Sequence, residues 1–385
     1  MVKTKMKALG AALLLLIGGL RGFGEDGSSG DLPLVNTQSL SLAGVETLAI
    51  HYGADDVILR ESETGELIIK EYMKKDRPQY YAHVSRSAGT LTIRSGRRPW
   101  LSWLWRKARA EIYLPRTFRE NIRISNASGT FSGDADLLGY QAVDISVSSG
   151  SIYLNHLSAK TVSLRVSSGD LDIRSIGGDS FISVSSGRLQ IDALSGEEHR
   201  VKVSSGRTRI DAIQGNSVIE TSSGFITIGT LEGNAAVEVN SGNFQLAELT
   251  GTSHRVTISS GRFVIEKTRG KMEGRVSSGS LAIGNFSGEG SFEMSSGNLN
   301  LDMEELLGDL RLSVSSGGIN MTIPRDLSFN LDAVTKSGSI SVDGDRENPI
   351  RVSGNSTVLR PIGPSPVQTI YARTNSGSVT IKRNL

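Results

Sequence analysis

The sequence predicts an all-β protein, a parallel β-solenoid with coils of about 18–19 residues and irregular capping ends. The first observation is a four-residue motif, Val-Ser-Ser-Gly or a close variant, which returns every 18 to 20 residues between Gly150 and Gly317. The second is that apolar residues recur at fixed offsets from each motif glycine. The third is the absence of a helical period in a chain where 44 of 385 residues are glycine, a composition that disfavours helices.

Each repeat has apolar residues at positions minus 5, minus 3, plus 2, plus 4 and plus 7 relative to its motif glycine. Around Gly187 these are Ile182, Val184, Leu189, Ile191 and Leu194. Within a strand, residues two apart lie on the same face, so the first pair belongs to one strand and the second pair to the next. The parity changes at the Ser-Gly step, where the chain must bend. We expect the glycine to adopt a positive φ at this corner, and a second, weaker bend at plus 8 to plus 10.

The corner residues are predicted to form a ladder along the solenoid axis, because coils stack about 4.8 Å apart. In the first four copies the serine and glycine of this ladder are Ser149, Gly150, Ser168, Gly169, Ser186, Gly187, Ser205 and Gly206. We interpret them as structural, with stacked hydroxyl groups that both donate and accept hydrogen bonds. Ten or more coils at this spacing predict a rod of roughly 50 Å or longer.

The chain divides into five predicted segments. Residues 1–24 form a signal peptide, 25–44 a polar linker, and 45–125 irregular N-terminal coils and a cap. Residues 126–340 form the regular solenoid, and 341–385 an irregular C-terminal coil and cap. Solenoids need such atypical ends, because a bare terminal coil exposes both its core and its strand edge.

The N-terminus has the pattern of a secretory signal, with Lys3, Lys5 and Lys7 before an uncharged apolar run of 13 residues from Ala8 to Leu20. The run is short for a membrane span, although an uncleaved anchor is an alternative. We therefore expect an exported protein of the bacterial envelope, periplasmic, surface-held or secreted. The chain has no cysteine, so disulfides and a lipid anchor on cysteine are excluded.

All three tryptophans lie within one short segment flanked by basic residues. The candidate interaction surface consists of Trp100, Trp103, Trp105, Arg97, Arg98 and Arg106. One interpretation is an exposed finger that contacts a membrane interface or a glycan, with the arginines near lipid head groups. The alternative is a hairpin whose aromatic side chains fold back over the open end of the solenoid.

Several motifs resemble a known family. They are Tyr113-Leu114-Pro115, the first corner Asn126-Ala127-Ser128-Gly129, the Ser-Ser-Gly coils, Ile323-Pro324, and the closing stretch from Thr374 to Ile381. From Val45 to Lys382 the chain resembles the DUF4097 family of bacterial β-strand-repeat proteins, which are labelled adhesins. The resemblance implies a right-handed parallel β-solenoid in an exported or envelope protein. It implies no catalytic residue.

The sequence offers little chemistry. Five histidines have no metal-ligand spacing, and His199 and His254 occupy the same coil position but lie three coils apart. Asp192 and Asp211 fall on adjacent coils and could form an acidic column of a polysaccharide-acting enzyme. The alternative is that they are solvated positions with interleaved charges. We expect no cofactor and no metal.

Charge excludes one class of partner. Residues 1–24 carry four basic and no acidic side chains, so their removal lowers the formal net charge from +2 to −2. A nearly neutral chain is not expected to bind nucleic acid.

The favoured hypothesis is a non-enzymatic envelope solenoid that acts as an adhesin or surface-binding scaffold. Its partner would be a cell-surface glycan, a membrane surface or an envelope protein. The alternatives are a periplasmic scaffold or stress-sensing protein, and a polysaccharide-acting β-helix enzyme.

Overall fold

The computed structural model describes residues 32–97, 108–343 and 350–384. These residues form a nearly all-β structure, a parallel β-solenoid of about 11 turns, which confirms the predicted fold class. One short 3-10 helix, Pro78–Tyr80, interrupts the strands of the described chain. The predicted signal peptide lies outside the described residues.

The N-terminal part contains nine strands. They are β1 (Leu34–Leu40), β2 (Thr47–Tyr52), β3 (Asp56–Ser62), β4 (Leu67–Tyr72), β5 (His83–Ser87), β6 (Thr90–Arg94), β7 (Arg109–Pro115), β8 (Asn121–Asn126) and β9 (Thr130–Gly133). Together they form the first coils and the N-terminal cap.

The regular coils follow. Their strands are β10 (Leu137–Val147), β11 (Ser151–Val166), β12 (Asp170–Val184), β13 (Arg188–Val203), β14 (Arg207–Thr221), β15 (Phe225–Glu232), β16 (Ala235–Val239), β17 (Asn243–Ile258), β18 (Arg262–Val276), β19 (Ser280–Met294) and β20 (Asn298–Val314). The long strands run from one corner to the next and include the second bend.

The C-terminal part has seven strands. They are β21 (Gly318–Ile323), β22 (Phe329–Thr335), β23 (Ser339–Val342), β24 (Ile350–Ser353), β25 (Ser356–Ile362), β26 (Thr369–Thr374) and β27 (Ser378–Arg383).

The core is a single column of apolar side chains along the axis. The five inward residues predicted around Gly187 are each at most 1% exposed, which confirms the apolar offsets. Equivalent residues of successive coils pack on one another. Phe244 and Phe263 are paired in register on β17 and β18, with ring centroids 4.5 Å apart. Burial of such stacked side chains is the main favourable contribution to folding.

The corner glycines have a different role from the one predicted. None of the ladder glycines has a positive φ, and positive φ occurs instead at the second bend, for example at Gly178 and Gly215. A Cβ atom at Gly187 would overlap the carbonyl oxygen of Gly169 and come within 2.6 Å of Cγ1 of Val166. Glycine is therefore required at the corner because one coil lies directly on the next.

Backbone groups form the corner ladder. The N–H of Ser168 donates to the carbonyl oxygen of Ser148 at 2.7 Å, and the N–H of Ser186 donates to that of Ser167 at 2.7 Å. The corner serine side chains are exposed. Among the described residues, no hydroxyl of one corner serine bonds the hydroxyl of the next, contrary to the prediction. The corner is too close-packed on its backbone side to need them.

Alternation between coils of 18 and 19 residues is explained at the second bend. The 19-residue coils carry one extra residue there, and the strand register shifts at that point. Oδ1 of Asp179 accepts the N–H groups of Glu197 and Glu198, at 3.1 and 3.0 Å. Oδ1 of Asn234 accepts those of Thr252 and Ser253 in the same way, at 3.1 and 3.0 Å. A side-chain oxygen from the coil before thus satisfies the donors of the bulge.

The N-terminal end does not follow chain order. On one face the strands lie in the order β1, β4, β7, β3, β9, and on the other in the order β5, β6, β2, β8. The coil of β2 and β3 therefore lies against the regular coils, and β6 and β7 lie outside it. β4 and β5 pair antiparallel and cover the exposed edges. Residues 34–40, predicted to be part of a polar linker, form strand β1, because their alternating apolar residues add to the edge of β4.

The C-terminal end has the same feature. The last coil, β26 and β27, is inserted between the coil that ends in β21 and the coil of β22 and β23. The 39-residue gap from Gly338 to Gly377, predicted to hold an irregular coil or cap, therefore contains the antiparallel cap strands β24 and β25. In space, the corner of Gly377 lies between those of Gly317 and Gly338.

The stacking of the corners predicts the effect of adding one methyl group. Gly187→Ala should lower the free energy of unfolding by about 1–3 kcal/mol, because its Cβ cannot fit against the coil before it. The measurement is the thermal midpoint by circular dichroism. Gly65→Ala is the control, since a Cβ there has no atom within 4 Å. Equal midpoints for the two variants would contradict the close-packing explanation.

Candidate functional site

The Trp-rich segment cannot be assigned a geometry. Trp100, Trp103, Trp105, Arg98 and Arg106 lie outside the described residues. Arg97 is described and is exposed after the end of β6, so the segment joins β6 to β7 near the N-terminal end. β4 and β5 already cover the edges of these two strands, and a capping role for the tryptophans is not required for that purpose.

A buried carboxylate lies on β7, shortly after this segment. Glu111 is 6% exposed and accepts hydrogen bonds from the hydroxyl groups of Tyr113 at 2.9 Å and Tyr72 at 3.2 Å. Arg60 and Arg109 each approach it to 3.7 Å. Burial, together with Glu111, raises the pKa of both tyrosines. The carboxylate is fully compensated by its neighbours, and we interpret this cluster as structural.

The corner serines line a shallow groove of about 380 Å³. Arg188 and Arg207 pair in register within it, and Phe225 occupies the same position one coil further on. Arg188 lies 3.9 Å from Asp170 on the coil before. This corner groove is open and covers few coils.

The acidic column is not assembled as a catalytic pair. Asp211 accepts a 2.8 Å hydrogen bond from Nε of Arg209 on the same strand, and both side chains are about half exposed. Asp192 lies at the equivalent position one coil earlier. Within the described ranges, no three His, Asp or Glu side chains are arranged to hold a metal ion. The interleaved charges agree with solvated outward positions.

A longer groove runs parallel to the axis and was not predicted from the sequence. We call it the axial groove. It has a volume of about 1110 Å³ and is lined by nine consecutive strands of one face, from Asn121 in β8 to Glu273 in β18. Strands at the usual spacing give it a length of about 40 Å. It lies beside the second bend, whose irregular coil length hides it from a repeat analysis.

One wall of the axial groove is a row of polar side chains at the second bend, which we call the Asx ridge: Asp179, Asn216 and Asn234. The Oδ1 atom of each accepts a backbone N–H from the next coil. The other head-group atom, Oδ2 or Nδ2, makes no hydrogen bond with any described residue. These atoms are available to a ligand in the groove.

The opposite wall combines apolar and paired charged side chains. Phe181 is 38% exposed and Val218 is 39% exposed. The guanidinium of Arg165 lies 5.9 Å from the Phe181 ring and 2.7 Å from Asp144. Arg255 likewise pairs with Glu273 on the next coil at 3.1 Å. The wall therefore has little net charge.

Two histidines form part of the floor. His199 and His254 are 2% and 1% exposed and lie three coils apart in register, as predicted. Nε2 of His199 donates to the carbonyl oxygen of Gln214 at 3.0 Å, and its Nδ1 accepts from the hydroxyl of Ser180 at 2.9 Å. Nε2 of His254 donates to the carbonyl oxygen of Arg269 at 3.1 Å.

The second nitrogen of His254 has no such donor. Ala235 occupies the position on the preceding coil that Ser180 has beneath His199. Nδ1 of His254 is consequently buried and unbonded among the described residues. Burial lowers the pKa of His254, and the hydrogen bond to Arg269 opposes this effect. An imidazole in this position is neutral at physiological pH.

Supplying the missing donor should stabilise the protein. Ala235→Ser places a hydroxyl beneath Nδ1 of His254 and should raise the free energy of unfolding by about 1 kcal/mol, because a buried acceptor gains its partner. Thermal unfolding of the variant measures the change. Ser180→Ala is the reciprocal control and should lower stability by a similar amount. A destabilised Ala235→Ser variant would show that the site has no room for the hydroxyl.

Stability should fall in acid. The folded-state pKa of His254 is lowered by burial, so the unfolded chain binds the proton more tightly. The contribution is complete above the unfolded pKa of about 6.5 and is lost as the pH falls below it. Melting temperatures between about pH 8 and pH 5 measure this slope.

The matched variant for the pH experiment is His254→Met, since Met272 occupies the same position on the next coil and is fully buried. Its melting temperature should decline less over this range. Some decline remains, because burial, followed by Arg94 and Arg123, also lowers the pKa of His51. Identical slopes in both proteins would contradict the assignment to His254.

No helix in the described part of the chain has the length and hydropathy to cross a membrane. A comparison with curated proteins found no match. Three solved structures illustrate the similarity of the fold. A "putative cell adhesion protein" from Clostridium sporogenes is 9% identical, with 91% of this chain and 98% of that chain covered and a TM-score of 0.22.

The second is a "putative adhesin" from Parabacteroides merdae, 11% identical, with 93% and 98% of the two chains covered and a TM-score of 0.24. The third is a "putative lipid binding protein" from Parabacteroides distasonis, 14% identical, with 74% and 96% covered and a TM-score of 0.29. The sequence model of the family described as Toastrack DUF4097 matches residues 45–239 and again residues 219–382. Because these matches span most of its length, the chain belongs to the Toastrack DUF4097 family.

Proposed function

We propose that the protein is an exported, non-enzymatic rod of the bacterial cell envelope that binds an extended partner along its length. The observation that carries this proposal is the axial groove, which crosses nine consecutive strands and has unbonded polar head groups on one wall. A partner that follows the groove makes a weak contact at each coil. Many such contacts on one molecule add up to strong binding.

Binding fits the groups in the groove better than catalysis does. Asp179, the acid of the Asx ridge, already accepts two backbone N–H groups. His199 and His254 are buried, and each spends its Nε2–H on a carbonyl oxygen. General acid or base work requires a group that can reach the substrate and exchange its proton. These side chains hold the second bend in shape instead.

Export is part of the proposal and rests on residues 1–24. Lys3, Lys5 and Lys7 precede the apolar run from Ala8 to Leu20, which is the arrangement of a secretory signal. The solenoid needs no disulfide, since its continuous core and backbone ladder supply the stability that many exported domains obtain from cystines. The partner is a component of an envelope, a glycan, membrane surface or protein, and the Trp-rich segment is a second predicted contact.

The location of the protein tests the proposal first. Intact cells that express the chain are treated with protease, and the mature chain is then detected with antibody. We expect loss of the signal from intact cells if the rod binds outside, because strand-connecting loops become accessible. A cytoplasmic marker protein is the control for cell integrity.

Purified protein should also sediment with isolated envelopes from such cells. Protection from protease until the envelope is permeabilised, with sedimentation retained, would favour a periplasmic scaffold over an adhesin. Protection even in permeabilised envelopes, or no sedimentation at all, would contradict the proposed function.

A further inference from the structure

We propose that the axial groove binds a linear, uncharged polysaccharide, with one sugar residue per coil. This inference rests on the proposed function and names the class of ligand and its site. It is carried by three features of the groove, which are its repeat distance, its charge and the chemistry of its two walls.

The repeat distance selects the type of polymer. Equivalent groove positions lie in strict register from coil to coil, as in the series Glu198, Asn216, Asn234, Ser253. Successive coils are about 4.8 Å apart. An extended peptide advances about 3.3 Å per residue and a nucleic acid strand about 3.4 Å per nucleotide, so neither keeps register with the coils. A pyranose ring in an extended, equatorially linked chain advances by nearly one coil spacing.

The charge of the groove selects against acidic and basic polymers. Three arginines and four carboxylates line it, and most face a partner of opposite sign. Arg255 pairs with Glu273 at 3.1 Å, and Asp144 pairs with Arg165 at 2.7 Å. Arg200 lies 3.9 Å from Glu220. An acidic polysaccharide would have to compete with these internal pairs, whereas an uncharged one leaves them intact.

The two walls match the two aspects of a sugar ring. Phe181 and Val218 offer exposed apolar surface on which the C–H face of a pyranose can pack. Across the groove, the Asx ridge offers Oδ2 of Asp179 as an acceptor and the Nδ2 groups of Asn216 and Asn234 as donors. Ring hydroxyl groups both donate and accept, so they suit this mixture. An apolar surface with a few placed polar groups is the usual composition of a small-molecule site.

The test is binding to an immobilised panel of linear uncharged glycans, comprising β-linked glucans, a β-linked mannan and chitin oligomers, measured with the full-length mature protein. Acidic polygalacturonate and phospholipid vesicles are included as competing classes. We expect binding to at least one uncharged glycan, with affinity that rises as the oligomer lengthens and levels off when it covers the groove.

Phe181→Ala should weaken this binding about tenfold, which corresponds to the loss of one aromatic contact. Phe225→Ala is the matched control. Phe225 is 37% exposed, nearly the same as Phe181, but lies in the corner groove. Its removal should leave the affinity unchanged. Thermal melting of both variants verifies that they fold.

The inference is overturned if no uncharged glycan binds, if both phenylalanine variants lose affinity equally, or if only polygalacturonate or vesicles bind. In any of these cases, sedimentation of the wild-type protein with isolated envelopes still supports the proposed function. Failure of that sedimentation as well would remove the proposed function itself.

Discussion

Direct contact between successive corner glycines sets the height of every coil. At Gly169 the space for a side chain is already occupied by the carbonyl oxygen of Gly150 and by Val147. Because the corner leaves no freedom, equivalent residues of all coils fall into register, both in the core and on the surface. The apolar column, the backbone ladder and the walls of the axial groove are consequences of this one spacing.

Local pattern was enough to predict the interior of the solenoid. The apolar offsets around each corner reflect the direction of side chains along a strand, which depends on neighbours in sequence only. The reason for the corner glycine was misjudged, since close approach of another coil at Gly187 leaves no signal beyond the glycine itself. The end coils were also beyond prediction. Whether β26 lies beside β20 or beyond β22 depends on which edges it covers, and the same alternating strand fits both positions.

The candidate site was harder to predict than the fold. The groove lies at the second bend, where coils of 18 and 19 residues alternate and a repeat analysis loses its alignment. Asp179 and Asn234 were the available signal, because each precedes a coil with one extra residue. Their Oδ1 atoms support the bulge, and their remaining head-group atoms face the groove. Structural support and ligand contact are therefore carried by the same side chains, and neither can be optimised without the other.

The placement of the last coil bears on how the rod resists mechanical load. Residues 369–383 form the final coil, yet they are held between two others and are hydrogen-bonded on both sides. A force applied to the C-terminus cannot peel an outer coil from the stack one bond at a time. It must shear two ladders of hydrogen bonds together, because β27 lies between β21 and β23. A chain that attaches a cell to a surface would be protected against pulling at the end where tension is applied.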